Sequence, residues 1–254
     1  MVPALAHAAA VSPPGVNLRW DRCFADGGVQ YRTFACDTNV GVERLVLSFE
    51  LAALREDVSR IDFLLSLQSA SSTLPAWWEF LNGGTCRSSA SSLVLVKPST
   101  SPTCTEWGPE DVEGSYFAYG IPGSREARFV GSVIARAPGP VDLVAGVEYY
   151  LATINISHAK TVGAGPCAGC TVPVCLSLDH VTLKSGPPGP SLLLNRGANW
   201  TGSQVVGWQN GYAFDYRPAQ FIDGVFYGAS MDCVPYDVTR AAPSTWGAVK
   251  SLYR

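Results

Sequence analysis

Three cysteines lie within nine positions of one another in the segment GPCAGCTVPVC: Cys167, Cys170 and Cys175. Cysteine sulfurs this dense can hold a metal ion, exchange electrons or form disulfides. A tetrathiolate zinc site usually draws two ligand pairs, but only the first two cysteines have the C-x-x-C spacing and Cys233 stands alone. A redox pair needs a helix, which the glycines and prolines of the segment exclude. We therefore predict disulfides here, with a metal site as the alternative.

The chain has eight cysteines, an even number. Even counts with short loop spacings are typical of disulfides in an exported protein. Closeness in sequence predicts two pairs: Cys23 with Cys36, and Cys86 with Cys104. Three connectivities are open to the other four cysteines, and we favour Cys170 with Cys175, and Cys167 with Cys233.

Acidic residues on strands offer a second kind of chemistry. Glycoside hydrolysis needs two carboxylates, roughly 5 to 9.5 Å apart. Three candidates are Glu79, Glu148 and Asp179. With 21 acidic residues such pairs also arise by accident, so we assign no catalytic residue. His158 and His180 are expected to approach each other on paired strands, but no placed carboxylate turns them into a catalytic or metal site.

An acidic loop bounded by glycine and proline could bind Ca²⁺ through hard oxygen donors. Its carboxylates are Glu106, Glu110, Asp111 and Glu113. The loop lacks an EF-hand pattern, so we favour a solvated acidic loop over a calcium site. No other cofactor is indicated.

Aromatic side chains are the stronger binding signal, because their flat apolar surfaces stack on sugar rings or anchor protein contacts. The predicted binding residues are Trp77, Trp78, Trp107, Tyr212 and Tyr216. Neighbours on a strand point to opposite faces, so one ring of Trp77-Trp78 is expected in the core and the other outside it or beneath a loop. Ordinary core packing is the competing explanation for all five.

Strand patterns recur along the chain and must position these groups. Residues 44–51 and 61–67 alternate between apolar and polar side chains, as strands with one buried face do. Further runs follow at 92–96, 128–134, 147–157, 174–183 and 204–208. Short strands separated by turns, without intervening helical patterns, predict an all-β fold: an antiparallel β-sandwich or jelly roll stapled by disulfides.

Three finer features follow from the same patterns. The cysteine-rich segment is predicted to form the tip of a hairpin between the runs 147–157 and 174–183. The apolar phase changes near Asp179, which predicts a β-bulge. Residues 244–253 predict a short capped helix that packs on the sandwich. With no linker or repeat to divide it, 16–254 is predicted to be a single domain.

Composition and the N-terminus indicate the compartment. Residues 1–10 end in Ala6-His7-Ala8, a small-residue cleavage pattern, and are predicted to be a signal-peptide remnant. The net charge of −3, without any Lys/Arg-rich run, argues against nucleic-acid binding. No apolar run is long enough for a transmembrane helix. The protein is therefore expected to be secreted or held at the cell surface.

Three stretches carry a resemblance: VNLRWDRCFADGG, LPAWWEF followed by GTCR, and the ending TWGAVKSLYR. They resemble a group of exported bacterial β-sandwich proteins, with similarity over most of the chain. The resemblance implies export and a disulfide-bearing β-fold, and it brings neither an activity nor a site residue. The predicted function is a non-enzymatic structural or adhesive module whose partner is a glycan or a cell-surface protein. The alternative is a carbohydrate-active hydrolase with its carboxylate pair on separate strands.

Overall fold

The structure is a computed structural model of the 254-residue chain. It describes residues 14–80, 86–108, 111–186, 189, 191–195, 203–217, 220–222, 225–227 and 230–235. The predicted signal remnant and the predicted C-terminal helix at 244–253 lie outside the described residues. Within them the chain forms seventeen β-strands and one 3₁₀ helix, Ala76–Trp78, and no α-helix. The predicted all-β class is confirmed.

The strands are numbered in chain order. They are β1 Gly15–Trp20, β2 Tyr31–Arg32, β3 Val42–Glu50, β4 Arg55–Ser69, β5 Ser91–Val94, β6 Thr105–Glu106, β7 Asp111–Gly120, β8 Glu126–Ala137, β9 Val141–Leu143, β10 Glu148–Ser157, β11 Val174–Ser185, β12 Ser191–Asn195, β13 Val205–Trp208, β14 Gly211–Arg217, β15 Gln220–Ile222, β16 Val225–Tyr227 and β17 Ser230–Pro235.

Most strands belong to two sheets. The small sheet has the order β1-β3-β10-β5, with β6 also paired to β10. The large sheet has the order β2-β13-β11-β4-β8-β7, with β12 paired to β11 and β9 to β4. Two short contacts, β6 with β10 and β2 with β13, are parallel, and the other pairings are antiparallel. Two further two-stranded sheets, β14 with β17 and β15 with β16, complete the described strands.

The two sheets bury apolar side chains in one hydrophobic core. Leu45 and Leu47 of β3 enter it from the small sheet, and Phe63 and Leu65 of β4 from the large sheet, all almost fully buried. Each is separated from the next by one residue, as the alternation of a strand requires. Burying such a side chain stabilises the fold by about 2 kcal/mol. The predicted core-facing positions of these two strands are confirmed.

All eight cysteines form disulfides, as predicted, but all four predicted pairs are wrong. The observed pairs are Cys23–Cys104, Cys36–Cys170, Cys86–Cys167 and Cys175–Cys233. The partners lie between 58 and 134 residues apart, so closeness in sequence was a poor guide to closeness in space. With no free cysteine in the described chain, the alternative of a thiolate metal site is contradicted.

The predicted hairpin is wrong because its two strands belong to different sheets. β10 lies in the small sheet and β11 in the large sheet, so the cysteine-rich segment between them crosses from one layer to the other. Two disulfides hold this segment. Cys170 is bonded to Cys36 after β2, and Cys167 to Cys86 before β5.

The predicted bulge in β11 is confirmed. Leu178 pairs with Leu65 and His180 pairs with Leu64, so Asp179 is the extra residue. One added residue shifts the side-chain alternation by one position. As a result Val181, beyond the bulge, faces the same core as Leu178 before it.

The disulfide pairs are expected to appear in a tryptic digest made without reductant. Because Cys23 is bonded to Cys104, mass spectrometry should detect peptide 23–32 covalently linked to peptide 88–125. Pairing of cysteines close in sequence would instead link 23–32 to 33–44, and that species would contradict the fold. Alkylation before the digest serves as the control and should label none of the four bonded pairs.

A second prediction concerns the contact between Gly131 and Phe63, which are cross-strand partners. A Cβ at Gly131 would lie 2.1 Å from the Phe63 ring, too close for any unrelaxed structure. Gly131→Ala should lower the free energy of unfolding by about 1–3 kcal/mol, measured by urea denaturation. Gly186→Ala is the matched control, because open space surrounds Gly186 and the change should stay within about 0.5 kcal/mol. Equal effects of the two substitutions would contradict the packing described.

Candidate functional site

The outer face of the small sheet is closed by a disulfide-held cluster. Val46 and Tyr150 point away from the main core and pack against the Cys23–Cys104 bond, and all four residues are buried. The Tyr150 hydroxyl donates to the carbonyl oxygen of Val94 at 2.9 Å. Among the described residues, this cluster therefore covers part of the outer face of the small sheet.

Among the described residues, the outer face of the large sheet is covered at one end. There the Cys175–Cys233 bond fastens the paired strands β14 and β17, and Val205 and Ala213 complete a small buried cluster. The Cys233 N–H donates to Gln68 Oε1 at 2.7 Å. Elsewhere on this face, within the described part of the chain, strands β7, β8 and β12 expose four large apolar side chains: Phe117, Val130, Ile134 and Leu193.

A cavity of about 580 Å³ opens on this uncovered face. Its lining comes from four neighbouring strands and includes Arg60, Asp62, Phe117, Val130, Ser132 and His180. Ligand sites typically measure about 300–1,000 Å³, so the cavity has the size of a small-molecule or sugar site. Phe117 stacks on Tyr119 with ring centroids 5.5 Å apart, which holds the exposed ring at the cavity.

A shared carboxylate organises the polar part of the cavity. Asp62 accepts from Arg60 Nε through Oδ1 and from Lys184 Nζ through Oδ2, each at 2.6 Å. Burial alone raises the pKa of Asp62, but the hydrogen bonds from Lys184, Arg60 and Ser132 and the charge on Arg60 together outweigh burial. The pKa of Asp62 therefore lies below its ordinary value, and the carboxylate is ionised at neutral pH.

His180, on β11, is a second titratable group in the cavity lining. Burial lowers its pKa, and the charge on Asp62 opposes this effect only in part. The imidazole is consequently neutral at pH 7. The cavity lining thus combines an ionised carboxylate, one guanidinium and a neutral imidazole with an exposed aromatic ring, and Lys184 reaches the carboxylate from outside the lining.

The tryptophans predicted to bind a partner lie in the interior. Trp77 and Trp78 are fully buried in the main core and Trp107 is 4% exposed, so the expectation that one ring of the Trp77-Trp78 pair lies outside the core or beneath a loop is wrong. The reason is that these residues form a 3₁₀ helix, where successive side chains diverge by about 120° instead of 180°. Both rings contact Trp208, one stacked and one edge-on, and so serve packing.

The two predicted tyrosines lie on the β14 strand. Tyr212 is 37% exposed and lines a smaller cavity beside Tyr31, away from the Asp62 cavity. The side chain of Tyr216 lies outside the described residues. The four predicted residues whose side chains are described therefore do not come together into one site.

The carboxylates considered for hydrolysis are separated as well. Glu148, on the small sheet, accepts from the N–H groups of Phe24 and Ala25 and from the Ser48 hydroxyl. Asp179, on the large sheet, accepts from the hydroxyls of Ser66 and Ser177. Glu79 follows the 3₁₀ helix and is half-buried. Hydrogen bonds given by the described residues hold Glu148 and Asp179 in two different local networks.

The histidines are also apart, which corrects the expectation that they share paired strands. His158 follows β10 and its Nε2 lies 2.9 Å from Glu43 Oε1, in the small-sheet layer. His180 belongs to β11 of the large sheet. The expectation failed for the same reason as the hairpin, because the chain crosses between sheets after β10.

The acidic loop does not form a ligand set among its described members. Glu106 Oε1 accepts from the Lys97 N–H, and Glu113 pairs with Arg136. Asp111 begins β7, and Glu110 lies outside the described residues. A different group, Cys23, Asp26 and Cys104, is compact enough to suggest a metal ligand set, but both its sulfurs are bonded to each other.

Sequence reasoning missed the residues around the Asp62 cavity. The usable signal was in β8, where Phe129 and Val130 are adjacent and so are Val133 and Ile134. A strand with one solvated face should not carry large apolar residues in both phases. Phe129 and Val133 face the core, whereas Val130 and Ile134 alternate with them and are exposed on the face that holds the cavity.

Comparisons with known proteins add little to this geometry. No protein-family model matches the chain, and no curated protein matches it. Among solved structures, the chain is similar to a cohesin module from a Clostridium perfringens family 33 glycoside hydrolase, at 8% identity. The match covers 72% of this chain and 97% of that module with a TM-score of 0.30, which is too low to bear on fold or function. Separately, the described residues contain no helix that is long and apolar enough to cross a membrane.

Asp62→Asn should lower the free energy of unfolding at pH 7 by about 0.5 kcal/mol, once solvent screening of these partly exposed pairs is considered. Because the pKa of Asp62 is lowered in the fold, its contribution is present above the ordinary carboxyl pKa and is lost as pH falls through the folded value. The stability gap between wild type and variant, measured by urea denaturation, should therefore close as pH falls through the range below the ordinary carboxyl pKa of about 4. Glu113→Gln is the control, since its pair with Arg136 is more exposed. A gap that stays constant over this range would contradict the prediction.

Proposed function

We propose that the protein is an exported, non-enzymatic β-sandwich module that binds a glycan on the outer face of its large sheet. Four disulfides support export, because such bonds form and persist in oxidising compartments outside the cytosol. They also support a module that keeps its shape in an unprotected environment.

The observation that carries the proposal is the uncovered cavity where Phe117 and Val130 lie beside Arg60 and Asp62. A sugar ring has an apolar face that packs on an aromatic ring and hydroxyls at its rim that need hydrogen-bond partners. The exposed Phe117 ring supplies the first, and the charged groups supply the second. Strands hold all four residues, so the site is formed before a ligand arrives.

The size of the surface favours a glycan over a protein partner. A stable protein interface buries about 800 Å² on each side. Here the apolar surface is a few separate side chains around one cavity, in place of the wide apolar patch that marks an obligate interface. A short stretch of glycan fits the cavity.

The charge state of the lining supports binding without hydrolysis. A glycosidase places two carboxylates across its substrate and raises the pKa of the one that acts as general acid. Within the described lining, Asp62 is the single carboxylate, and its pKa is lowered. Such a group stays ionised and accepts hydrogen bonds, which suits recognition of hydroxyls.

The test is a titration of the full ¹⁵N-labelled chain with soluble oligosaccharides, neutral and acidic, followed by NMR. We expect shifts concentrated on β4, β7 and β8. Phe117→Ala should weaken binding about tenfold, equivalent to about 1.4 kcal/mol, because the stacking surface is lost. Since Phe117 is 54% exposed, its removal should leave folding intact.

Leu54→Ala is the matched control, because Leu54 is equally exposed but lies in the loop before β4. It should leave the affinity within twofold of wild type. Absence of binding to every oligosaccharide, or equal losses in both variants, would overturn the proposal. Release of shorter sugars during the titration would favour the hydrolase instead.

A further inference from the structure

One trio of charges beside the cavity carries a net positive charge. Arg60 and Lys184 share one carboxylate, that of Asp62, so the trio has a net charge of plus one. The neighbouring ion pair on β7 and β8, Glu113 with Arg136, is neutral as a whole, and on β8 Arg128 is matched by Glu126 two residues away. The trio of Arg60, Asp62 and Lys184 is therefore the part of this face that complements an anion.

Arg60 is arranged so that it can contact such an anion. Among the described residues, Asp62 engages it through Nε only, and no other side-chain hydrogen bond of Arg60 is seen there. The two terminal nitrogens of a guanidinium form a planar fork that pairs with two oxygens of a carboxylate or sulfate. Nearly half of the Arg60 side chain is exposed, which leaves this fork accessible.

The contact with Asp62 reduces the cost of binding. A free arginine on a surface loses rotamer freedom when it is immobilised, at about 0.5–1.5 kcal/mol for such side chains. Asp62 already holds the Arg60 side chain at Nε through its Oδ1 atom. Through its Oδ2 atom, Asp62 also holds the Lys184 ammonium group. Lys184 Nζ has two further hydrogens and 41% exposure, so it can donate to the same anion.

We propose that the cavity selects sugars bearing an anionic group, a carboxylate or a sulfate. The sugar ring packs on Phe117 and Val130, and the anionic group pairs with the Arg60 fork and the Lys184 ammonium. This inference rests on the proposed glycan binding and specifies its ligand class. Binding of a neutral glycan would satisfy the proposed function without satisfying the inference.

The experiment is calorimetric titration of the full chain with three probes: trigalacturonic acid, neutral galactotriose and a sulfated galactose oligosaccharide. At least one anionic probe should bind about tenfold more tightly than the neutral one, the factor expected of one charge-assisted pair. Raising the salt concentration should reduce this preference, because screening weakens exposed charge pairs. Comparing the two anionic probes shows which anion fits better.

Arg60→Gln should remove the preference, so that the favoured anionic probe loses about tenfold more affinity than galactotriose does. Arg136→Gln is the matched control, since Arg136 is an exposed cation on β8 that is held by Glu113, and it should keep the preference. Equal binding of neutral and anionic probes would overturn the inference and leave glycan binding standing. Failure of all three probes to bind would overturn both proposals, and a preference retained in Arg60→Gln would overturn the assignment of the site to Arg60.

Discussion

Burial of two sheets against one hydrophobic core is the interaction on which the rest of the structure depends. Because the inner faces of both sheets are buried in the core, any binding surface must lie on an outer face, at an edge or in a connecting loop. The outer faces of the two sheets are covered to different extents. Among the described residues, a disulfide-held cluster covers the small sheet, and the paired strands β14 and β17 cover one end of the large sheet. The cavity at Asp62 lies on the part of the large sheet that these two strands leave uncovered.

Sharing one core between two sheets also explains the disulfides. The chain has to cross between layers after β10, and a crossing segment lacks the ladder of hydrogen bonds that holds a strand. Cys167 and Cys170 anchor this segment to two distant loops. A bond closing a loop as long as that of Cys36–Cys170 stabilises by about 5 kcal/mol in the chain-entropy model, taken alone. The dense cysteines thus hold a segment that lies outside any strand ladder.

The large sheet combines rigidity with an exposed apolar face. Exposure of the Phe117 and Val130 side chains to water is unfavourable, and a solvated strand face usually carries polar residues at such positions. Here they surround Asp62, whose carboxylate is held by Arg60 and Lys184. An aromatic ring next to oriented polar groups on regular strands is an arrangement suited to recognition, since little has to reorganise when a ligand binds.

Local patterns determined the all-β class, the positions of the main strands, the bulge at Asp179 and the oxidised state of the cysteines. These follow from the two-residue period of strands and from an even cysteine count, which act over a few residues or over composition alone. Which strands became neighbours depended on the tertiary structure. That decision separated β10 from β11, paired cysteines up to 134 residues apart, buried Trp77 and Trp78 together, and assembled Arg60, Asp62, Phe117 and His180 on one face. The physical reason is that sheet order depends on packing between residues distant in the chain, and no short-range period encodes it.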